Sequence, residues 1–196
     1  MKLFRIGAVA LAGIGFVTPA FSGEVTLDKS HTKVEFTVTH LTISDVTGRF
    51  DDFAAKGTFD EKASALSGLQ VTIKAESINT NDADRDKHLR GADFFDTGKH
   101  PEITFKQSKP AVLRKGVPTA VVGDLTMRGV TKPVTLLLTY KGTVKDPWGN
   151  NKAGFSASTK VNRKDYGVSW SKTMDTGGAV VSDEVSISIA GEVAIK

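Results

Sequence analysis

The chain has 196 residues, with 26 Lys and Arg against 22 Asp and Glu, 39% hydrophobic residues and no cysteine. That length suits one domain with a core of its own. The absence of cysteine excludes disulfides, thiol catalysis, Fe–S clusters and Cys-based zinc sites. No run of Lys or Arg interleaved with aromatics reaches the density of a nucleic-acid patch, so nucleic acid is not an expected partner.

Lys2 and Arg5 precede an apolar run from Ile6 to Val17, and Ala20-Phe21-Ser22 places small residues at signal-peptidase spacing. The run is short against the roughly 20 residues needed to span a bilayer. We therefore expect residues 1–22 to be a cleaved signal peptide, residues 23–196 to be one mature domain, and the protein to be exported. No cysteine lies at the cleavage point to make a lipoprotein. Loss of Lys2 and Arg5 lowers the formal charge from +4 to +2, so part of the basic balance belongs to targeting.

Period-two alternation dominates the mature domain. Val34, Phe36, Val38 and His40 share one face, with Lys33, Glu35, Thr37 and Thr39 on the other. The same parity unites Leu69, Val71, Ile73 and Ala75, and then Val134, Leu136, Leu138 and Tyr140, with Leu137 the exception. It returns in Phe155, Ala157, Thr159 and Val161, and in Val185, Ile187, Ile189, Gly191, Val193 and Ile195. Such strands are apolar inside and polar outside. Thr47-Gly48-Arg49 reads as a bend or bulge within a long strand region. Lys115–Pro118, Arg128–Pro133 and Asp146–Asn151 read as turns. About eight strands result, in a closed barrel or a sandwich, which alternation alone does not separate. An eight-stranded barrel is of a size to hold one small ligand.

The stretch 77–105 breaks this pattern. Asn81 is the expected N-cap, Asp82 and Asp84 lie in the first turn, and Lys87, His88 and Arg90 lie in the last. Gly91 would take the left-handed position after the helix. A short capped helix in a strand-rich chain suits a plug or lid. Arg85 and His88 are neighbours on it, whereas Asp86 points away from Arg85. Asp86 could pair with Arg90; alternatively Arg85 or Asp86 reaches a neighbouring strand and pins the helix. Leu89 would face inward. In an extended segment Phe94 and Phe95 would diverge, one to the interior and one outward.

The four histidines, His31, His40, His88 and His100, form no H-x-H or H-x-x-x-H pair, so no metal site is expected. His40 faces inward near a strand end, either satisfied by a backbone carbonyl or bonding a ligand head group. His31 with Asp28 suits a turn-stabilising pair. There is no G-x-S-x-G elbow, P-loop or G-x-G-x-x-G. The adjacent carboxylates Asp51-Asp52 and Asp183-Glu184 diverge in a strand. No catalytic residue is expected. Trp148, in a Pro-Trp-Gly turn, could touch a membrane surface, but a cap folded over the barrel end is the preferred reading. Trp170 lies in a segment of unassigned register.

Several motifs in order carry a resemblance: D-x-x-H-T-x-V-x-F at Asp28–Phe36, N-x-x-x-R-D-x-H-L-R at Asn81–Arg90, and D-F-F-D at Asp93–Asp96. K-H-P-x-I-x-F at Lys99–Phe105 and G-D-L-T-M-R-G-V-T-K-P-V at Gly123–Val134 come next. D-P-W-G-N-N-K-A-G-F at Asp146–Phe155 and N-R-K-D-Y-G at Asn162–Gly167 are weaker. Together they resemble the YceI-like family of periplasmic, lipocalin-like barrels that bind polyisoprenoids or similar long-chain lipids. The lipocalin G-x-W signature is absent.

That resemblance implies a mainly β fold: an extended eight-stranded antiparallel lipocalin-like β-barrel with a short helix capping one end. It also implies an elongated apolar tunnel, a homodimer and a periplasmic location. With the parity, it nominates Val34, Phe36, Val38, His40, Leu89, Phe94, Phe95, Phe105 and Phe155 as tunnel and mouth residues. Arg85, Asp86 and His88 are nominated for head-group contact or for anchoring the lid. The ligand would be a long isoprenoid, such as a quinone tail or polyprenyl phosphate, or a fatty lipid. No other cofactor, and at most transient membrane contact, is expected. The alternatives are a stress-response interaction module, or an accessory presenting a bound quinone to a membrane redox protein.

Overall fold

Strands that are apolar on one face must bury it, and here they do so by closing on themselves. The computed structural model describes residues 22–173, 175 and 179–196. Except for Ser22, the expected signal peptide lies outside the described residues. The strands are β1 (Ser22–His40), β2 (Ser44–Phe50), β3 (Phe53–Asp60), β4 (Ala65–Lys74), β5 (Ile78–Asn79), β6 (Glu102–Gln107), β7 (Ala111–Val112), β8 (Pro118–Met127), β9 (Val130–Lys145), β10 (Asn151–Asn162) and β11 (Glu184–Ile195). One helix, α1 (Ala83–Arg90), follows β5.

Eight strands form an antiparallel ring in the order β1-β3-β4-β6-β8-β9-β10-β11, and β11 pairs back onto β1 to close the barrel. The pairs run from Val25↔Ile195 to Thr37↔Ser186. β3 covers the lower half of β1, while β2 covers the upper half. β2 and β3 are thus one strand broken at Asp51-Asp52. The helix end of the barrel carries α1 and the β8–β9 turn; the opposite end carries the β9–β10 hairpin.

Irregularities in the ladder permit the closure. Asp28 pairs with Glu192 and Lys33 with Ala190, so five steps along β1 match two along β11. The extra residues push Thr32 over Gly191, where a Cβ would stand 2.1 Å from the Thr32 Oγ1. Gly48 pairs with Phe36 in regular register and makes no bulge. Its role is space, since a Cβ there would lie 2.4 Å from the Phe36 ring. Gly123 serves Phe105 in the same way. Between β8 and β9, Arg128 and Gly129 have φ of 49° and 75°, the two-residue turn whose twist matches a hairpin.

The helix differs from expectation at both ends. Asp82, not Asn81, is the N-cap, and its carboxylate accepts from the Arg85 N–H at 3.0 Å. Asn81 instead takes a left-handed turn, with φ of 60°. Gly91 is extended, with φ −72° and ψ 174°, so the chain leaves the helix without a left-handed residue. Residues 91–99 form successive turns and no strand. Phe94 and Phe95 therefore escape the alternation that would have separated them. Trp148 is 84% exposed and does not fold over the barrel end. The Asp146 carboxylate accepts from the Trp148 and Asn150 N–H groups and the Asn150 amide, which fixes the turn with the ring outward.

The apolar interior forms two clusters. Val25, Phe59, Leu66, Leu113 and Leu138 pack at the hairpin end. Val34, Phe50, Phe53, Ile78, Ile103 and Tyr166 pack towards the helix. Yet Phe36, Val38, Leu69, Val71, Ile73, Phe155, Ile187 and Ile189 point inward and are only half-buried. The lumen is not filled.

Gly123→Ala should lower unfolding stability by about 1–3 kcal/mol, because the added methyl meets both the Phe105 ring and the Lys106 carbonyl. Gly98→Ala, at an open position, should change it little. Urea denaturation of both variants checks this.

Candidate functional site

The unfilled lumen is a run of three chambers along the barrel axis. The lower one, of about 100 Å³, is lined by Phe59, Leu113, Tyr140, Phe155 and Val193 among others. The middle one, of about 120 Å³, is lined by Phe50, Ile73, Ile103, Phe105, Leu125 and Val185. The upper one, of about 270 Å³, lies beneath the lid against Val38, His40, Leu89, Phe94, Trp170 and Val181. Val34, Val71, Leu136 and Ile189 border both lower and middle chambers. Phe36, Phe95 and Met127 border both middle and upper. On β11 the lining of the first two runs from Val185 to Val193, roughly 25 Å of strand. At a barrel tilt of about 40° that is roughly 20 Å along the axis.

All nine nominated tunnel residues line these chambers. Phe155 lies in the lower, Phe105 in the middle, and Val38, His40, Leu89 and Phe94 in the upper. Phe94 and Phe95 both reach inward, contrary to the expected divergence. The Phe95 ring meets Phe50 edge-on at 5.9 Å, and Phe94 lies 5.3 Å from Trp170. His40 lines the upper chamber, and its ring has no hydrogen-bond partner among the described residues.

The polar trio divides. Asp86 is buried and lines no chamber: it accepts from the Thr80 N–H at 2.8 Å and the Thr80 hydroxyl at 2.6 Å. The same hydroxyl accepts from Arg85 Nε at 2.8 Å, and another Arg85 nitrogen donates to the Thr80 carbonyl. Arg85 and Asp86 thus converge on one residue and do not point apart. Arg90 donates to the Glu76 and Ile78 carbonyls and forms no ion pair with Asp86. Arg128 donates to the Ala92 and Phe94 carbonyls. His88 lies 3.1 Å from Asp93 and meets Phe94 and Trp170 edge-on. The lid is pinned on every side.

Sequence reasoning missed four contributors. Thr80 is the hub of the lid. Trp170 walls the upper chamber. Arg163, buried, donates to the Ser182, Val168 and Trp170 carbonyls and to Asp183, holding that wall in place. Burial pulls its pKa below the ordinary arginine value. Met127 shares parity with Gly123 and Leu125, so alternation could have found it. Arg163 carried no sequence signal beyond a weak motif.

Outside the barrel, Asp28 and His31 pair at 3.1 Å as expected, and Lys152 donates to the same carboxylate at 2.5 Å. With Glu192 these side chains group closely enough for metal ligation, but the Lys152 ammonium stands where a cation would. Lys152, then Ser30 and His31, hold the Asp28 carboxyl well below the usual carboxylate range. A depressed acid stabilises the fold above its unfolded pKa of about 4, and that contribution fades as pH falls towards the folded value.

The family described as YceI-like domain matches residues 25–193, and the chain belongs to it. The YceI protein of Escherichia coli O157:H7 is 41% identical over 190 residues, covering 93% of this chain and 96% of its own. The crystal structure of the Campylobacter jejuni YCEI protein is 36% identical, with a TM-score of 0.70 over 87% of this chain and 96% of that one. A polyisoprenoid binding domain from Saccharophagus degradans shares the fold at 15% identity, with a TM-score of 0.60 over 88% and 98%.

Asp86→Ala strands two buried Thr80 donors and should cost about 2–4 kcal/mol in denaturant unfolding. Asp86→Asn, which keeps one acceptor oxygen, should cost less. Asp28→Asn should lower the melting temperature at neutral pH, and the gap to wild type should narrow as pH drops below about 4. Thermal melts across pH check the sign.

Proposed function

We propose that the protein binds the chain of a long isoprenoid or similar amphiphilic lipid in this tunnel, and sequesters or carries it in the periplasm after export. The observation that carries the reading is an inner face of apolar side chains left half-buried around adjoining chambers that share wall residues. Natural interiors pack to few voids larger than a water molecule, and an apolar cavity stays dry. A hydrocarbon chain is the occupant such a lumen favours, at about 0.8 kcal/mol for each buried CH₂.

The chambers divide the work. The lower and middle ones offer almost wholly apolar walls to the tail, so they select by length and width. The upper one adds His40, Arg85 and His88 to its apolar wall. Two of Arg85's three nitrogens already donate to Thr80, and the third faces the Asp82 carboxylate at 3.6 Å. His40 is therefore the best-placed group for a polar head, with its ring in the chamber beside Val38 and Val181. No constellation for bond cleavage accompanies these residues, and we read the site as a binding site. Family membership and the fold shared with the Saccharophagus polyisoprenoid binding domain support the ligand class.

Mass spectrometry of an organic extract, from protein purified without detergent, should find about one long-chain lipid per molecule. Phe36→Asp puts a charge where the middle and upper chambers meet, and should empty the tunnel. Ile189→Trp, at the boundary of the lower chamber, keeps the wall apolar and should shift retention to shorter chains. A clean extract from folded wild-type protein, or an unchanged lipid profile in Ile189→Trp, would contradict the reading.

A further inference from the structure

The hairpin end of the barrel carries a surface that the tunnel does not explain. Six large apolar side chains stand exposed among the described residues, and four of them, Val112, Val117, Val144 and Trp148, lie at this end. The Arg114–Val117 turn docks on β9, where the Gly116 N–H donates to the Tyr140 carbonyl at 2.8 Å. Lys115 lies across Gly142, its Cε 3.0 Å from where a Cβ would stand. Val144 and Lys145 follow on the same hairpin, with Trp148 at its tip.

Charge sorts along the barrel in the same sense, although Glu24, Asp60, Glu61 and Asp146 are acids at the hairpin end. The stretch 106–122 carries Lys106, Lys109, Arg114 and Lys115 and no acidic residue. The stretch 76–102, at the helix end, carries seven acidic and four basic residues. Among the described residues, Arg114, Lys115, Lys141 and Lys145 take part in no ion pair. Others, Lys87 and Lys132 at the helix end among them, are likewise unpaired, while Lys152 beside the hairpin pairs with Asp28. No described helix is long and apolar enough to cross a membrane.

We propose that the hairpin end docks on an anionic bilayer, with Trp148 and Val144 at the headgroup level and Arg114, Lys115, Lys141 and Lys145 against lipid phosphates. An exposed indole prefers that interface, and unpaired cations are drawn to an anionic leaflet. The acidic helix end orients the barrel with its lid away from the lipid and the lower chamber towards it. The purpose of such docking, loading or unloading a tail, rests on the lipid-binding reading; the contact itself does not.

The test uses vesicles of phosphatidylcholine with phosphatidylglycerol, against phosphatidylcholine alone, read by cosedimentation and tryptophan emission. Wild-type protein should sediment with the anionic vesicles, with a blue shift that Trp148→Ser removes and high salt weakens. Lys115→Gln/Lys145→Gln should partition roughly 30-fold more weakly. Ile189→Trp, altered only inside the barrel, should bind vesicles as wild type does. Wild-type protein left in the supernatant would overturn the proposal. So would unchanged binding by both surface variants, loss of binding in Ile189→Trp, or self-association through Trp148 without vesicle binding. A clean lipid extract with vesicle binding intact sinks the tunnel reading alone.

Discussion

Everything in this molecule depends on pairing β11 with β1, because that pairing turns one-sided strands into a wall around a space. Once eight strands close, the ring sets the lumen and the inward side chains must fill it or leave it hollow. Here they leave it hollow. The closure depends on the extra residues between Asp28 and Lys33, which let β1 serve β11 along its length while its two halves serve β3 and β2. Thr32 settles over Gly191, and the rings of Phe36 and Phe105 settle over Gly48 and Gly123. Large aromatics thus lie against the wall without crossing the lumen.

The lid solves a second problem, that of irregular backbone over an apolar chamber. Residues 91–99 have no ladder to satisfy their carbonyls, and buried backbone groups must be paired. Arg128 answers this need directly, and two more arginines serve carbonyls of the backbone beside the lid. Arg90 reaches back to Glu76 and Ile78, Arg128 reaches across to Ala92 and Phe94, and Arg163 gathers the opposite wall. Their forked donors satisfy several carbonyls each. Asp86 is the one buried acid among the described residues, and Thr80 alone supplies its two bonds. The result is a stiff cover whose inner side stays apolar except near His40, Arg85 and His88.

Much of the wall was legible because its period is two. Parity at Val34, Phe36, Val38 and at Val185 to Ile195 marks the inner face whatever the fold. Closure was not legible, since a sandwich shows the same alternation, and the motif resemblance was needed to choose. Local caps were less readable. Asn81 and Asp82 are both competent N-caps; Asn81 takes a left-handed turn and Asp82 caps, while Asp86 reaches back to Thr80 just ahead of the helix. Gly91 looked like a left-handed stop, yet the chain turns without one. Phe94 and Phe95 were misread because turns, not a strand, carry them. Trp148 was misread because Asp146 ties its turn outward. Arg163 and Trp170 depend on long-range contacts that no local pattern announces.

The central claim is that one continuous apolar lumen holds a chain by its length. Binding of polyprenyl alcohols of increasing length to delipidated protein tests it most directly. The account predicts affinity rising by more than about tenfold for each added isoprene unit, since each buried CH₂ contributes about 0.8 kcal/mol, and levelling off once the chain outgrows the lumen. Affinity independent of chain length would contradict it.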